Sequence, residues 1–561
     1  MKISWIKPTL ICRKPAKNAA TSYTGLFSLT RFRGRIRLSS TMARTYDSAL
    51  SRLSSLQSNH AVTSLFSPPP TTSPNSSSNG KPQDLNALAI PEMLSWLCRA
   101  GMSPSDLTKL RCIHVAGTKG KGSVCAYLTS ILTQPGLHAT AGRVGTYTSP
   151  HLVSVRERIM LDGQPISQDL FTRYFFEVWD AFTASARALL AEGSEEGQMS
   201  AEVEGPMSKP FYFRFLTILA FYVFIKEGVK TAVIECGIGG EYDATNVLPV
   251  EATTASVVTQ LGIDHVGMLG RTLPDIAWHK IGVAKEGRKC FSRRLGGEAG
   301  EAAMKVMRKR TQEKGAELVE VTDDEVESWG GVKADTLGSL DGDFQKFNQA
   351  LAVAAAKAHM ERLGESAIGA TNALFAHLPD GFTNGLQQAR LRGRCETRID
   401  GNITWLIDGA HTAESLEEVA KWYSSKQETL AGSEKVLIFN QQDRDAAKLL
   451  AGLYDGILRA TRTPDARPFD RAVFTRNDLQ KRGDEEPDRD LSVQKSAADT
   501  FESLAPGTAT RIHDNMSDVI QEVREQYMGD KAQGKKVVVL VTGSLHLVGA
   551  LLRTLKPDAP I

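Results

Sequence analysis

No two of the seven cysteines (Cys12, Cys98, Cys112, Cys125, Cys236, Cys290 and Cys395) stand at CxxC spacing, so the chain offers neither a zinc knuckle nor a disulfide framework and fits a reducing compartment. No apolar run is long enough to span a membrane. The most apolar stretch, Phe211 to Ile225, is broken by Arg214 and followed by Lys226, short of the roughly 20 residues that a span requires. It reads as a buried helix. An excess of charge is missing as well: 67 basic and 64 acidic residues leave a net charge of +3, which gives no field for nucleic acid or for a strongly anionic surface. There is no internal repeat of fixed period, no GxGxxG dinucleotide fingerprint and no Ser-His-Asp or Cys-His constellation, so dinucleotide binding and a covalent protein nucleophile are not indicated.

One local absence is informative. Met1 to Tyr46 holds Lys2, Lys7, Arg13, Lys14, Lys17, Arg31, Arg33, Arg35, Arg37 and Arg44 but no acid. That composition predicts a mitochondrial import segment over residues 1–45, leading to the matrix or to association with the inner membrane; a basic tail with no address is the alternative. Met42 stands near its end, and initiation there predicts a second, cytoplasmic product.

What the chain does contain is concentrated in Ile113 to Ile131, IHVAGTKGKGSVCAYLTSI, which reads as buried strand, glycine-lysine turn and helix. Gly117, Gly120 and Gly122 let the backbone turn several N–H groups towards one point at the positive end of a helix, a cradle for anionic oxygens. Lys121 adds a full charge and Ser123 a hydroxyl. Val115 occupies the place of the first glycine of the usual P-loop, so the cradle is a variant.

At 561 residues the chain is too long for one core. Short apolar strands (Ile113 to Ala116, Ala232 to Glu235, Ser256 to Gln260) alternate with helical patterns and predict a mostly parallel sheet with chemistry at its C-terminal ends. A second α/β unit begins near Leu391, with strands at Thr404 to Ile407, Lys435 to Phe439, Arg471 to Phe474 and Lys536 to Val541. Thr412 is placed to cap a helix whose stripe is Leu416, Val419, Ala420 and Tyr423. The fold class is therefore α/β: a P-loop ATP-binding domain over 46–388 and a smaller Rossmann-like domain over 389–561, with a flexible loop near 65–84 and insertions near 193–209 and 482–489. A short helix is expected over Tyr46 to Leu56.

Polar residues collect at the strand ends. Ser149 in TSPHL, Glu235 in VIECGIGG and His265 in LGIDH follow strands of the first domain, and Glu235 is the strongest candidate for magnesium beside a nucleotide. A lone histidine is more often structural; the neighbouring Asp264 makes His265 a candidate too. Lys280 and Lys285 lie on a predicted helix, where lysines are normally solvated. In the second domain Arg394 precedes, and Asp408 and His411 follow, the strand WLI, placed to close over a first-domain phosphate site and exclude water.

Taken in order, HVAGTKGKGSVCAYL, TSPHLVSVRERIMLDGQPIS, IECGIGGEYDATNV, TQLGIDHVGMLGRTL, IAWHKIGVAKEG, LRGRCE, LIDGAHT, LIFNQQDRD and VLVTGSLHLVGALL resemble the motifs of the folylpolyglutamate synthases, members of the ATP-dependent Mur ligase superfamily. The likeness spans roughly residues 46 to 556, is closest to the eukaryotic form, and IFNQQ is similar to fungal members. The resemblance implies that Gly120, Lys121, Gly122 and Ser123 bind ATP phosphates, that Ser149, Glu235 and His265 hold magnesium, and that Arg394 and Asp408 reach ATP from the second domain. It further implies an Asn348 near the nucleotide, a Lys280 open to carbamylation, and a His411 that supports the phosphate or the intermediate. Phe344 and Gln349 depart from the histidine and alanine usual around that asparagine. The implied reaction is ATP-dependent addition of L-glutamate to the γ-carboxylate of tetrahydrofolates and their polyglutamates, in one-carbon metabolism, with Mg2+ and a monovalent cation such as K+; a monomer is expected, because two domains already enclose the site. Glutamate addition to dihydropteroate and a non-ligating nucleotide switch are the alternatives.

Overall fold

The computed structural model describes residues 43–56, 88–191, 203–334, 338–365, 374–426, 431–442, 445–461, 467–483, 485–528 and 534–555. The import-like segment up to Met42, the loop near 65–84 and most of the 193–209 insertion lie outside them. An eight-stranded sheet comes first: β1 (Arg111–Ala116), β2 (Val144–Tyr147), β3 (Ile159–Leu161), β4 (Gln164–Pro165), β5 (Thr231–Glu235), β6 (Thr253–Val258), β7 (Lys289–Arg293) and β8 (Glu317–Val321). Its order is β4-β3-β2-β5-β1-β6-β7-β8. Pairing is parallel from β2 to β8 and antiparallel only at the β2-β3-β4 edge.

The central strands are buried on both faces, as parallel strands covered by helices must be. Cys112 and Ala232 point into one core, and Ile113, Val115 and Val233 into the other. The first core is rich in aromatic rings: Phe175 stacks on Trp179 at 5.5 Å and meets Phe215 at 5.1 Å. It seats the expected N-terminal helix, Tyr46–Ser54, and the Tyr212–Lys226 helix. The latter has almost no polar face, which is why it is buried all round. The visible end of the 193–209 insertion is packed rather than loose. Lys209 is buried, donates to Val203 O and Ser208 Oγ, and lies over the Trp179 ring.

The second sheet has six strands: β9 (Glu396–Asp400), β10 (Ile403–Ile407), β11 (Glu434–Phe439), β12 (Arg471–Thr475), β13 (Ala509–His513) and β14 (Val537–Thr542), in the order β13-β12-β11-β14-β10-β9. All pairs are parallel except β10 with β9. Alternation sorts its residues: Val537, Val539 and Val541 enter one core, Val538 and Leu540 the other. Thr412 caps the Ala413–Ser424 helix as its sequence position predicts, accepting from Ser415 N. No helix among the described residues is long and apolar enough to cross a membrane.

Candidate active site

Between the two sheets lies a cavity of 1390 Å³. Its floor is the loop that leaves β1. Val115 is still a strand residue there, in register with Glu235, so the bend starts only at Gly117 and no glycine is needed earlier. Gly117 and Gly120 have φ of +147° and +86°; a Cβ on the first would overlap Thr259 Oγ1 and on the second Asn348 Oδ1. The loop is tied down from β6: Thr259 Oγ1 donates to Lys119 O at 2.6 Å, and the Thr118 and Lys119 N–H groups donate to Gln260 O. The Lys121–Leu132 helix follows, and its first-turn N–H groups have no intrahelical acceptor.

Of the residues expected at the site, Gly120, Lys121, Gly122, Ser123, Ser149, Glu235, His265, Asn348, Arg394, Asp408 and His411 all line this cavity. Lys280 does not. It ends the Leu273–Lys280 helix, is 3% exposed, and donates from beneath the loop to Gly117 O at 2.7 Å. Lys121 Nζ donates to the same carbonyl at 3.1 Å. Burial, reinforced by Lys121, lowers Lys280 to about 7. Between that value and the ordinary 10.5 the unfolded chain holds a proton the folded chain has released, so this lysine makes stability rise with pH over that window. The thermal midpoint of the parent should therefore climb relative to Lys280→Met between pH 7 and pH 10. A gap constant across that range would contradict the buried ammonium.

Glu235 closes β5, is almost fully buried, and accepts from Ser149 N at 3.0 Å. Burial raises its carboxyl, opposed first by Lys121. His265 reaches the cavity from the loop after β6, with φ of +49° and its N–H on Asp264 Oδ1. The described residues contain no group of three His, Cys, Asp or Glu placed for a metal. Ser149 and Glu235 nonetheless both line the cavity beside the phosphate loop, linked through the Ser149 N–H, and a hydroxyl with a carboxylate is a donor set that fits magnesium, which takes few protein ligands and fills its octahedron with water and phosphate. Asn348 donates to Gln345 Oε1 and faces Gly120. The two departures around it have packing reasons. Phe344 packs against the core of the second sheet, and Gln349 both accepts from Val332 N and donates to Val332 O.

From the second sheet, Asp408 follows β10 and accepts from Cys395 N and Ala410 N, both at 2.8 Å. Burial raises its carboxyl, with Arg394 opposing. Arg394 donates to Gly393 O, and His411 Nδ1 lies 3.3 Å from Gly409 O. Among the cavity residues not singled out from sequence are Lys119 and Arg158. Lys119 pairs with Glu414 at 3.0 Å, joining the phosphate loop to the second sheet's first helix. Arg158 reaches the wall with its Nε on His151 Nδ1 and its guanidinium over Tyr212. Arg156 in the same motif turns away to Ile166 O, and nothing in the spacing separates the two.

No protein-family model matches the chain. It is 37% identical over 533 residues to a folylpolyglutamate synthase of Neurospora crassa, covering 92% of this chain and 93% of that protein. A folylpolyglutamate synthase of Candida albicans is 36% identical over 533 residues, covering 91% of this chain and 96% of its own length. Among solved structures, Mycobacterium tuberculosis folylpolyglutamate synthase complexed with ADP superposes with a TM-score of 0.60 at 23% identity, over 91% of this chain and all of that one. At that identity the likeness establishes the fold.

Proposed function

The chain belongs to the folylpolyglutamate synthase family, and we propose that it adds L-glutamate to the γ-carboxylate of tetrahydrofolates with ATP as the energy source. One observation carries this reading: a single cavity receives both the Gly-Lys-Gly-Ser loop of the first sheet and Arg394, Asp408 and His411 of the second. In this reading the loop and helix N-terminus bind the ATP phosphates, Lys121 meets the γ-phosphoryl group, and Arg394 and Asp408 hold the nucleotide from the other side. Ser149, Glu235 and His265 would hold Mg2+, which when bound offsets phosphate charge.

A carboxylate cannot be attacked directly by an amine, because oxide is not a leaving group. A γ-carboxylate oxygen of the folate therefore attacks the γ-phosphorus, the bond to the β-phosphate oxygen breaks, and ADP leaves. The acyl phosphate then takes the amine nitrogen of L-glutamate at its carbonyl carbon. The C–O bond to phosphate breaks, the nitrogen loses its proton, and an isopeptide remains. Lys121 stabilises charge on the transferring phosphoryl, and His411 is placed to support the phosphate as it departs. Closure of one sheet over the other keeps water from the acyl phosphate; the Lys119–Glu414 pair supports that closure.

The same reading divides the chain into a leader (1–45), an ATP-binding domain (46–388) and a C-terminal domain (389–561), with eight strands before the second boundary and six after it among the described residues. It assigns a mitochondrial product from Met1 and a cytoplasmic one from Met42. The test is incubation of the full chain with ATP, Mg2+, labelled glutamate and either tetrahydrofolate or dihydropteroate, with products resolved by mass. Successive additions to tetrahydrofolate support the assignment. Product from dihydropteroate alone would reassign the chain to first-glutamate addition, and no product from either would leave a nucleotide-binding protein.

A further inference from the structure

Leu152 lines the main cavity and also a second one, of 370 Å³, whose polar wall comes from Gln442, Asn477, His546 and Arg553. That volume is within the range of small-ligand sites, roughly 300–1,000 Å³. No lining residue carries a carboxylate.

Gln442 ends a relay of amides. Gln494 Nε2 donates to Asn440 Oδ1 at 2.7 Å, Asn440 Nδ2 donates to Asn477 Oδ1 at 2.8 Å, and Asn477 Nδ2 donates to Gln442 Oε1 at 3.1 Å. Gln494 and Asn440 are buried, and Gln494 joins the relay through its Nε2 alone, its Oε1 having no partner among the described residues. In this arrangement the Gln442 oxygen accepts from Asn477 and its NH2 group faces outward as a donor. Arg553 adds a guanidinium, one nitrogen of which reaches Leu152 O at 3.4 Å, and it has no carboxylate partner among the described residues. Amide N–H groups, a guanidinium and an imidazole, with no carboxylate among the described lining residues, make a site for an anion. Leu152 and Leu479 supply apolar wall.

We propose that this pocket binds a carboxylate of the γ-glutamyl tail of an already elongated folate, and so favours substrates that carry one. The inference rests on the polyglutamate reading above. Each turnover returns a product with one more tail carboxylate; in that reading the terminal γ-carboxylate reacts in the main cavity, and the wall shared through Leu152 puts the pocket within reach of a carboxylate further back along the tail. The same chemistry would suit the free amino acid, and kinetics separate the two sources.

The experiment compares the full-length parent with Arg553→Gln and with Gln442→Ala. Steady-state rates are measured on tetrahydrofolate monoglutamate and pentaglutamate with L-glutamate varied, and binding of tri-γ-glutamate is measured by calorimetry. Expected is a rise of about tenfold in KM for the pentaglutamate and a similar loss of tri-γ-glutamate binding, the worth of one charge-assisted hydrogen bond. The monoglutamate constants and the KM for L-glutamate stay as in the parent. Equal effects at both chain lengths, or a rise confined to the KM for L-glutamate, would overturn the proposal. Should Arg553→Gln fail to fold, Gln442→Ala at the rim carries the same differential test. A parent that ligates nothing yet binds tri-γ-glutamate through Arg553 would refute the ligase reading and keep the pocket. A parent that ligates while both variants treat the two lengths alike would do the reverse.

Discussion

Lys121→Ala loses ligation by about 10³-fold or more while its unfolding transition stays close to that of the parent. The magnitude follows from removing a full charge at the point where charge develops on the transferring phosphoryl group. The small structural effect follows from what Lys121 holds in the fold, a single hydrogen bond to Gly117 O that Lys280 duplicates from the other side. The same variant carries an internal control. Lys121 is the leading charge that lowers Lys280, so its removal should raise the Lys280 pKa from about 7. Full turnover in Lys121→Ala would remove the phosphate-cradle assignment; a collapsed fold would contradict the packing described for the loop.

Glu235→Gln separates activity from stability in the opposite directions. Glutamine keeps an oxygen to accept from Ser149 N, so the geometry is retained, but the anion that fits a magnesium ion is gone and the rate should fall by about 10²-fold or more. Stability behaves differently. Burial raises the Glu235 carboxyl above its ordinary 4.5, so between that value and the raised one the folded chain binds the proton the unfolded chain has lost. Stability therefore falls as pH rises through that window and stays lowered at neutral pH. Glu235→Gln should melt higher than the parent at pH 7.5, with the difference vanishing at pH 4. Thermal melts at the two pH values decide this. A variant less stable at neutral pH would mean that Glu235 is held by structure rather than strained for function.

The parts of the fold legible in the sequence were those with strong local signals. The glycine-lysine turn, the buried Tyr212–Lys226 helix and the stripe of Leu416, Val419, Ala420 and Tyr423 announce themselves by glycine, apolarity and period. The strands that sequence reading passed over include β2 and β7, which are short and largely buried inside the first sheet, and several at sheet edges. β9, with the residues ETRID, and β13, with ATRIH, are half exposed and polar, because an edge strand needs no apolar run. β8, also at an edge, is only partly buried over Glu317 to Glu320.

At the site, eleven of the expected residues meet in one cavity; most follow a strand or open a helix, positions that topology converges, and Arg394 arrives from the segment before β9. Lys280 escaped the same logic. A lysine at a helix end reads as solvated, and only the tertiary fold buries it under Gly117 O. The Lys119–Glu414 pair and the Gln494–Asn440–Asn477–Gln442 relay join residues far apart in sequence, and no local pattern marks either.

Oxygen transfer tests the chemistry most directly. Tetrahydrofolate labelled with 18O in its γ-carboxylate, turned over with ATP and L-glutamate, should give inorganic phosphate carrying one 18O and an isopeptide carbonyl keeping the other. Unlabelled phosphate released alongside a labelled product would contradict an acyl phosphate formed in this cavity.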